Sequence, residues 1–349
     1  MPTRILFLAA HLQPFLAAGI RSLMTDNDVE IIIYCEKRDE NRLIDIQPNS
    51  QLRIFTYDYE PETFFWKTID AFKPDIVVCA GWMFWIYTSW SKALRRNGAK
   101  TICTMDNQWK GSLKQKLLVL LSPFTIKSAF THAWVPGKRQ EDYAIRLGFA
   151  AGKILHHLYA PDTLLFDKAY QDFIKSELKL FPKRFLYVGR LEDHKVKNLL
   201  LAFRSLTEAE RGAWVLNIIG NGSLENSSLL QHPSIVYSGS LPQQQLVKLA
   251  AQNGVFCLCS ADEPWGTVVQ EFSAAGLPLL ISKQCGSSDH FLSDNGFLCD
   301  GKDVQSIKSC LINCIKTSDT DLFQMSKSSH QLGMCSNSVT WANELMRLV

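Results

Sequence analysis

What this chain of 349 residues does not contain narrows its class before any motif is considered. No apolar run reaches the ~18 residues that a membrane-crossing helix needs. Residues 1–12 lack the apolar core and cleavage site of a secretion signal, so a cytosolic protein is expected. The first half has no Gly-x-Gly-x-x-Gly fingerprint, which argues against a nicotinamide or flavin cofactor. No Cys-x2-Cys pair occurs among the ten cysteines, and Cys79, Cys103, Cys257 and Cys259 sit inside apolar, strand-like runs. Reduced core thiols are therefore expected, rather than a disulfide framework or a metal site. There is no internal repeat, low-complexity tract or acidic tail.

What is present is an ordinary globular composition, 46% hydrophobic and 20% charged, long enough for about two domains. Short apolar runs at 4–10, 29–35, 52–57, 76–81, 100–105 and 131–135 read as buried strands, with helical patterns between them, including 64–72 and 87–96. The same alternation resumes at 184–188, 215–219, 235–239, 254–259 and 279–281. Strand and helix in turn predict an α/β protein of two Rossmann-like, doubly wound domains. The expected division is 1–165 and 166–349, with a linker near 162–181 that holds a helix over 170–180. A last helix over 339–348, carrying Trp341, is expected to pack at the domain junction.

In doubly wound sheets ligands bind at the carboxyl ends of strands. That rule nominates His11, Gly81, Trp82, Asp106, Asn107 and Gln108 in the first half. Between residues 92 and 153 twelve Lys or Arg stand against three acids, Asp106, Glu141 and Asp142. Within it, residues 109–130 interleave Lys110, Lys114, Lys116 and Lys127 with leucines and Phe124, a pattern that fits either a core-facing helix or one docked on an anionic membrane.

The second half carries the sharper chemistry. A buried strand ends in Gly189-Arg190, where glycine admits a close backbone approach and arginine offers a fork for phosphate. Lys195 and Lys197 follow, and Gly220-Asn221-Gly222 makes a turn after the next strand. After the strand near 254–259 comes Glu263-Pro264-Trp265-Gly266-Thr267, then a helix with Glu271 in its first two turns, stopped by Gly276 and Pro278. A loop feeding a helix N-terminus at a sheet edge favours an anion. Two carboxylates eight positions apart, Glu263 and Glu271, suit hydroxyl donors instead, as in a sugar and a ribose.

This string resembles the Glu-x7-Glu signature of the retaining GT-B glycosyltransferases of the large family four, and the resemblance is strongest over 185–298. It implies a transferase that moves a sugar from a nucleoside diphosphate sugar to a glycan or lipid-linked hydroxyl. Retention of configuration, no metal or other cofactor, and a place in bacterial-type cell-surface polysaccharide or glycolipid synthesis follow by the same likeness. By position, Glu263 lies by the donor sugar, the Trp265-Gly266-Thr267 backbone meets the diphosphate and sugar, and Glu271 holds the ribose. Arg190 and Lys195 neutralise the leaving diphosphate, and Gly189, Gly220 and Gly222 line the nucleotide. No Asp-x-Asp pair is assigned to a metal. Asp106 is nominated near the reacting centre, beside Met105, which stands where many relatives have histidine. The likeness also implies domains that face across a cleft and close on the donor. Two other readings stay open: a catalytically silent sugar-nucleotide-binding subunit of a glycan assembly complex, and a sugar-nucleotide epimerase of similar fold. Partners on the leading reading are the donor, the acceptor and an anionic membrane surface at the inner face, with no nucleic acid.

Overall fold

The computed structural model describes residues 1–35, 46–56, 62–159, 161–176 and 179–349. Tyr57, at the end of an expected strand, and residues 177–178 of the expected linker helix lie outside these. The chain forms two compact units, 1–161 with 338–349, and 162–337.

The first unit is built on seven parallel strands: β1 Thr3–Ala9, β2 Val29–Cys35, β3 Leu52–Thr56, β4 Ile76–Cys79, β5 Lys100–Thr104, β6 His132–Trp134 and β7 Ile154–Leu155. Their order is β3-β2-β1-β4-β5-β6-β7, so the winding reverses between β1 and β4. The central strands β1 and β4 read as nearly unbroken apolar runs because both faces are buried. Leu6, Leu8, Val77 and Cys79 enter one core, while Ile5, Phe7, Ile76 and Val78 enter the other.

The C-terminal helix Ser338–Met346 packs on this unit. Its Trp341 stacks on Trp134 at 4.7 Å and on Phe7 at 6.0 Å, and the indole N–H donates to the Leu158 carbonyl at 3.0 Å. Glu344 adds a tie by accepting the His156 N–H at 2.9 Å. These contacts place the last twelve residues with the first unit, whereas the sequence reading grouped them with 166–349.

The second unit has six parallel strands: β8 Arg184–Val188, β9 Val215–Ile219, β10 Ile235–Tyr237, β11 Val255–Leu258, β12 Leu279–Ser282 and β13 Gly296–Cys299. In the order β10-β9-β8-β11-β12-β13 the reversal falls between β8 and β11. The expected helix over 170–180 is corrected to Thr163–Lys175. Asp162 caps it by accepting the Leu165 N–H at 3.3 Å, and Phe166, Ala169 and Tyr170 form its buried stripe. Cys79, Cys103, Cys257 and Cys259 are all buried, and burial pushes the Cys79 thiol up to about 12.

Candidate functional site

In the second unit the residues singled out from the sequence collect where β8 and β11 part, the switch point at which a doubly wound sheet leaves a crevice. After β8 the Gly189 N–H donates to Ile219 O at 3.0 Å and the Leu191 N–H to Asn221 O at 3.0 Å, which lays this loop against the one after β9. The contact requires glycine. At Gly220 φ is 135°, and a β-carbon would lie 1.9 Å from the Gly189 carbonyl oxygen; at Gly222, with φ 157°, one would lie 2.7 Å from that of Leu191. Arg190 projects exposed from the same turn and has no ion-pair partner among the described residues.

Residues Asp193–Lys197 form a π turn that runs into the helix Asn198–Arg204. It accommodates a segment with no glycine after Lys195, and such turns concentrate at functional sites. The two lysines part here. Lys197 pairs at the surface with Asp193 at 2.7 Å, whereas Lys195 turns inward and donates from Nζ to Glu263 Oε2 at 2.8 Å. Their side chains are only 8% and 16% exposed for Lys195 and Glu263. Main-chain contacts hold the pair: the Ala261 N–H donates to His194 O at 2.8 Å, and Ser260 Oγ to Lys195 O at 3.4 Å. An ammonium has three donors, so the contact with Glu263 leaves it capacity for an anion.

Beyond Glu263 the chain is pinned to the loop after β12. The Gly286 N–H donates to Glu263 O at 3.0 Å, the Ser287 N–H to Trp265 O at 3.1 Å, and Cys285 Sγ to Trp265 O at 3.0 Å. Gly266, at φ 87°, then opens the helix Thr267–Ala274; a β-carbon there would meet Leu258 at 2.8 Å and Cys285 Sγ at 3.0 Å. The first N–H groups of a helix lack intrahelical partners, so Thr267 stands at an anion-favouring end. One turn on, Glu271 retains partial solvent access, yet burial pushes its carboxyl up to about 7, and Asp162 adds to the rise. A crowded carboxylate of this kind is stabilised by any ligand that donates hydrogen bonds to it. The effect of Asp162 on Glu271 joins residues 109 positions apart and leaves no local signal in the sequence.

The first unit holds a separate cavity of about 280 Å³ at its own switch point, between the ends of β1 and β4. His11, Gly81, Trp82, Asp106 and Asn107, nominated singly as strand-end residues, line it together. Gln108 does not line it; its carbonyl accepts from Gln115 Nε2 at 2.8 Å. Met105 is buried, and Asp106 is held by the Tyr159 hydroxyl, which donates to Oδ2 at 3.0 Å, and by Gln140 Nε2, which donates to its carbonyl at 3.2 Å. The remaining walls are largely aromatic, with Phe15, Trp82, Phe84 and Tyr159. Among the described residues no Lys or Arg lines this cavity, and Asp106 is the one acid that does. The Asp-x-Asp spacings of the chain lie elsewhere, Asp26 at a helix end and Asp319/Asp321 at a helix start capped by Ser318.

Comparison with known proteins bears on the second unit. Residues 170–328 match the model of the family described as glycosyl transferases group 1. They belong to it. Over 72 residues the chain is 39% identical to sucrose-phosphate synthase 1 of Arabidopsis thaliana, a stretch that is 20% of this chain and 7% of that protein. Among solved structures, sucrose-phosphate synthase from Thermosynechococcus elongatus superposes with a TM-score of 0.76 at 16% identity, over 99% of this chain and 98% of that one. HepE of Anabaena, in complex with UDP and glucose, gives 0.73 at 14% identity over 99% and 98%. At these identities the likeness shows the fold, the two-unit α/β architecture of the GT-B type.

Proposed function

We propose that the protein is a glycosyltransferase that moves a sugar from a nucleoside diphosphate sugar to a hydroxyl of a glycan or lipid-linked acceptor. The observation that carries this is the Lys195–Glu263 pair, buried at the β8/β11 switch point beside Arg190 and the Gly266-Thr267 helix start. The match of residues 170–328 to the group 1 family supports it, as do the UDP and glucose in complex with HepE. The diphosphate lies against Arg190, Lys195 and the Thr267 end of the helix, Gly189, Gly220 and Gly222 admit the nucleotide, and Glu271 accepts the ribose hydroxyls. Glu263 accepts from the donor sugar while it orients Lys195.

Rupture of the bond between the anomeric carbon and the phosphate oxygen leaves the electron pair on the diphosphate, where the two cations and the helix end meet it. That provision needs no divalent ion. The acceptor oxygen then bonds to the anomeric carbon on the face the phosphate leaves, its proton passing to the departing phosphate, so configuration is retained. Asp106 in the first unit's cavity accepts a hydrogen bond from an acceptor hydroxyl. With no Lys or Arg among its described lining residues, that cavity suits an uncharged ring stacked on aromatic walls. We assign the reaction to cell-surface polysaccharide or glycolipid synthesis in the cytoplasm, at an anionic membrane surface met through 109–130.

Thermal denaturation with UDP, GDP and ADP sugars, followed by transfer assays with the sugar that binds, tests this reading. One nucleotide sugar is expected to raise the melting temperature, since a ligand that binds only the folded state stabilises it. Arg190→Ala is expected to slow transfer about 10² to 10³-fold at an unchanged melting temperature of the free protein. No shift with any nucleotide sugar, or near-normal turnover in Arg190→Ala, overturns the assignment.

A further inference from the structure

The helix Leu113–Leu121 is strongly apolar, yet none of its residues is buried. At about 100° per residue, Leu113, Leu117, Leu120 and Leu121 fall within one arc of roughly 100°. All four face solvent, being 84%, 57%, 72% and 44% exposed. Lys114 and Lys116 fall on either side of that arc, while Leu118 and Val119, on the opposite face, pack against the core of the first unit. The helix is thus held from behind and presents leucine forwards between two lysines. Ser112 caps its first turn by accepting the Gln115 N–H at 3.3 Å, and Gln115 ties back to Gln108 and Lys110. Phe124, just beyond the helix, extends the apolar stripe at 78% exposure.

Such a stripe on a soluble surface calls for an occupant. Between residues 107 and 140 the sequence has no acid. A second copy of this face would bring Lys114 and Lys116 against their own kind, which opposes self-association. A bilayer with anionic headgroups matches both features at once, taking the leucines to the acyl boundary and the lysines to the headgroups. We infer that this helix docks the protein on an anionic lipid bilayer through Leu113, Leu117, Leu120 and Leu121, with Lys114 and Lys116 on the headgroups. The helix leaves the same sheet edge as the cavity of the first unit: Trp82 of the cavity wall and Trp109 before the helix both pack on the Tyr143 ring, at 6.2 and 5.5 Å. Docking therefore brings the cavity to the membrane, and the acceptor is an amphiphile presented from the bilayer. This last step rests on the transferase reading, whereas the docking does not.

Flotation of the purified full-length chain with vesicles tests it. The protein is expected to float with mixed phosphatidylcholine and phosphatidylglycerol, and to stay at the bottom with phosphatidylcholine alone or in high salt. Leu117→Glu with Leu120→Glu is expected to cut flotation at least about tenfold. Lys114→Gln with Lys116→Gln should weaken it on anionic vesicles while the apolar stripe is intact. Both pairs lie at the surface, so melting temperatures and the response to UDP-glucose should match the wild type. Absence of flotation, flotation indifferent to lipid charge or to these substitutions, or sedimentation showing a dimer that Leu117→Glu with Leu120→Glu dissolves, overturns the docking. A normal nucleotide-sugar response in a protein that does not float would remove the docking alone, and flotation without any such response would remove only the transferase reading.

Discussion

Lys195→Ala is expected to reduce turnover about 10² to 10³-fold, the usual cost of removing one charge-stabilising donor from a reacting centre. It should also destabilise the free protein, which separates it from Arg190→Ala. Arg190 is exposed, so its removal leaves nothing stranded, whereas removal of Lys195 leaves the mostly buried Glu263 carboxylate without its partner at 2.8 Å. Breaking a buried pair in this way costs about 3 to 5 kcal/mol, and the partial solvent access of Glu263 puts the expected loss at the low end. Adding Glu263→Gln to Lys195→Met removes the stranded charge, so the double variant should regain most of the stability and none of the activity. Denaturant melts alongside single-turnover rates would show it. Equal stability of Lys195→Ala and wild type would mean that the pair is not closed in solution.

Glu271→Gln should do the opposite to the free protein and much the same to its chemistry. The folded carboxyl titrates at about 7 against 4.5 for an unperturbed one. Between those values the folded chain keeps a proton that the unfolded chain has lost, so the contribution of this group to stability falls as pH rises through the window. Above pH 7 the full cost of the ionised, crowded carboxylate is present, about 1 to 3 kcal/mol once partial solvent access is allowed for. Glutamine carries no such cost, so Glu271→Gln is expected to raise the melting temperature at pH 8 and to change it little near pH 4.5. Affinity for the nucleotide sugar that raises the melting temperature should fall about 10 to 100-fold, the worth of hydrogen bonds to a charged acceptor. In the wild type that affinity should climb as pH passes 7, because binding recruits the ionised form. A flat profile, or a variant that binds as tightly as wild type, would detach Glu271 from the ribose.

How much of this was legible beforehand depends on the range over which each signal acts. Runs such as Ile76–Cys79 and Leu279–Ser282 announce themselves because a strand buried on both faces must be apolar throughout. The helix that follows the Glu263 loop was readable for a similar reason: Gly266 opens it and Gly276 and Pro278 close it by local backbone rules. The helix begins at Thr163 rather than near 170, and the local signal for that start is Asp162, a residue type that caps helices. Tyr159 on Asp106 and Asp162 beside Glu271 join distant loops, and periodicity carries no information about those. For helix Leu113–Leu121 the sequence shows many leucines without saying which arc meets the core. Only the packing of Leu118 and Val119 decides that.

The most direct measurement is a crystal structure of the protein with the nucleotide sugar that raises its melting temperature. The diphosphate oxygens should lie within hydrogen-bond reach of Lys195 Nζ and the Arg190 guanidinium, with the Glu271 carboxylate on the ribose hydroxyls. A nucleotide seated away from the β8/β11 crevice, or a Glu271 carboxylate that touches none of it, would contradict the account.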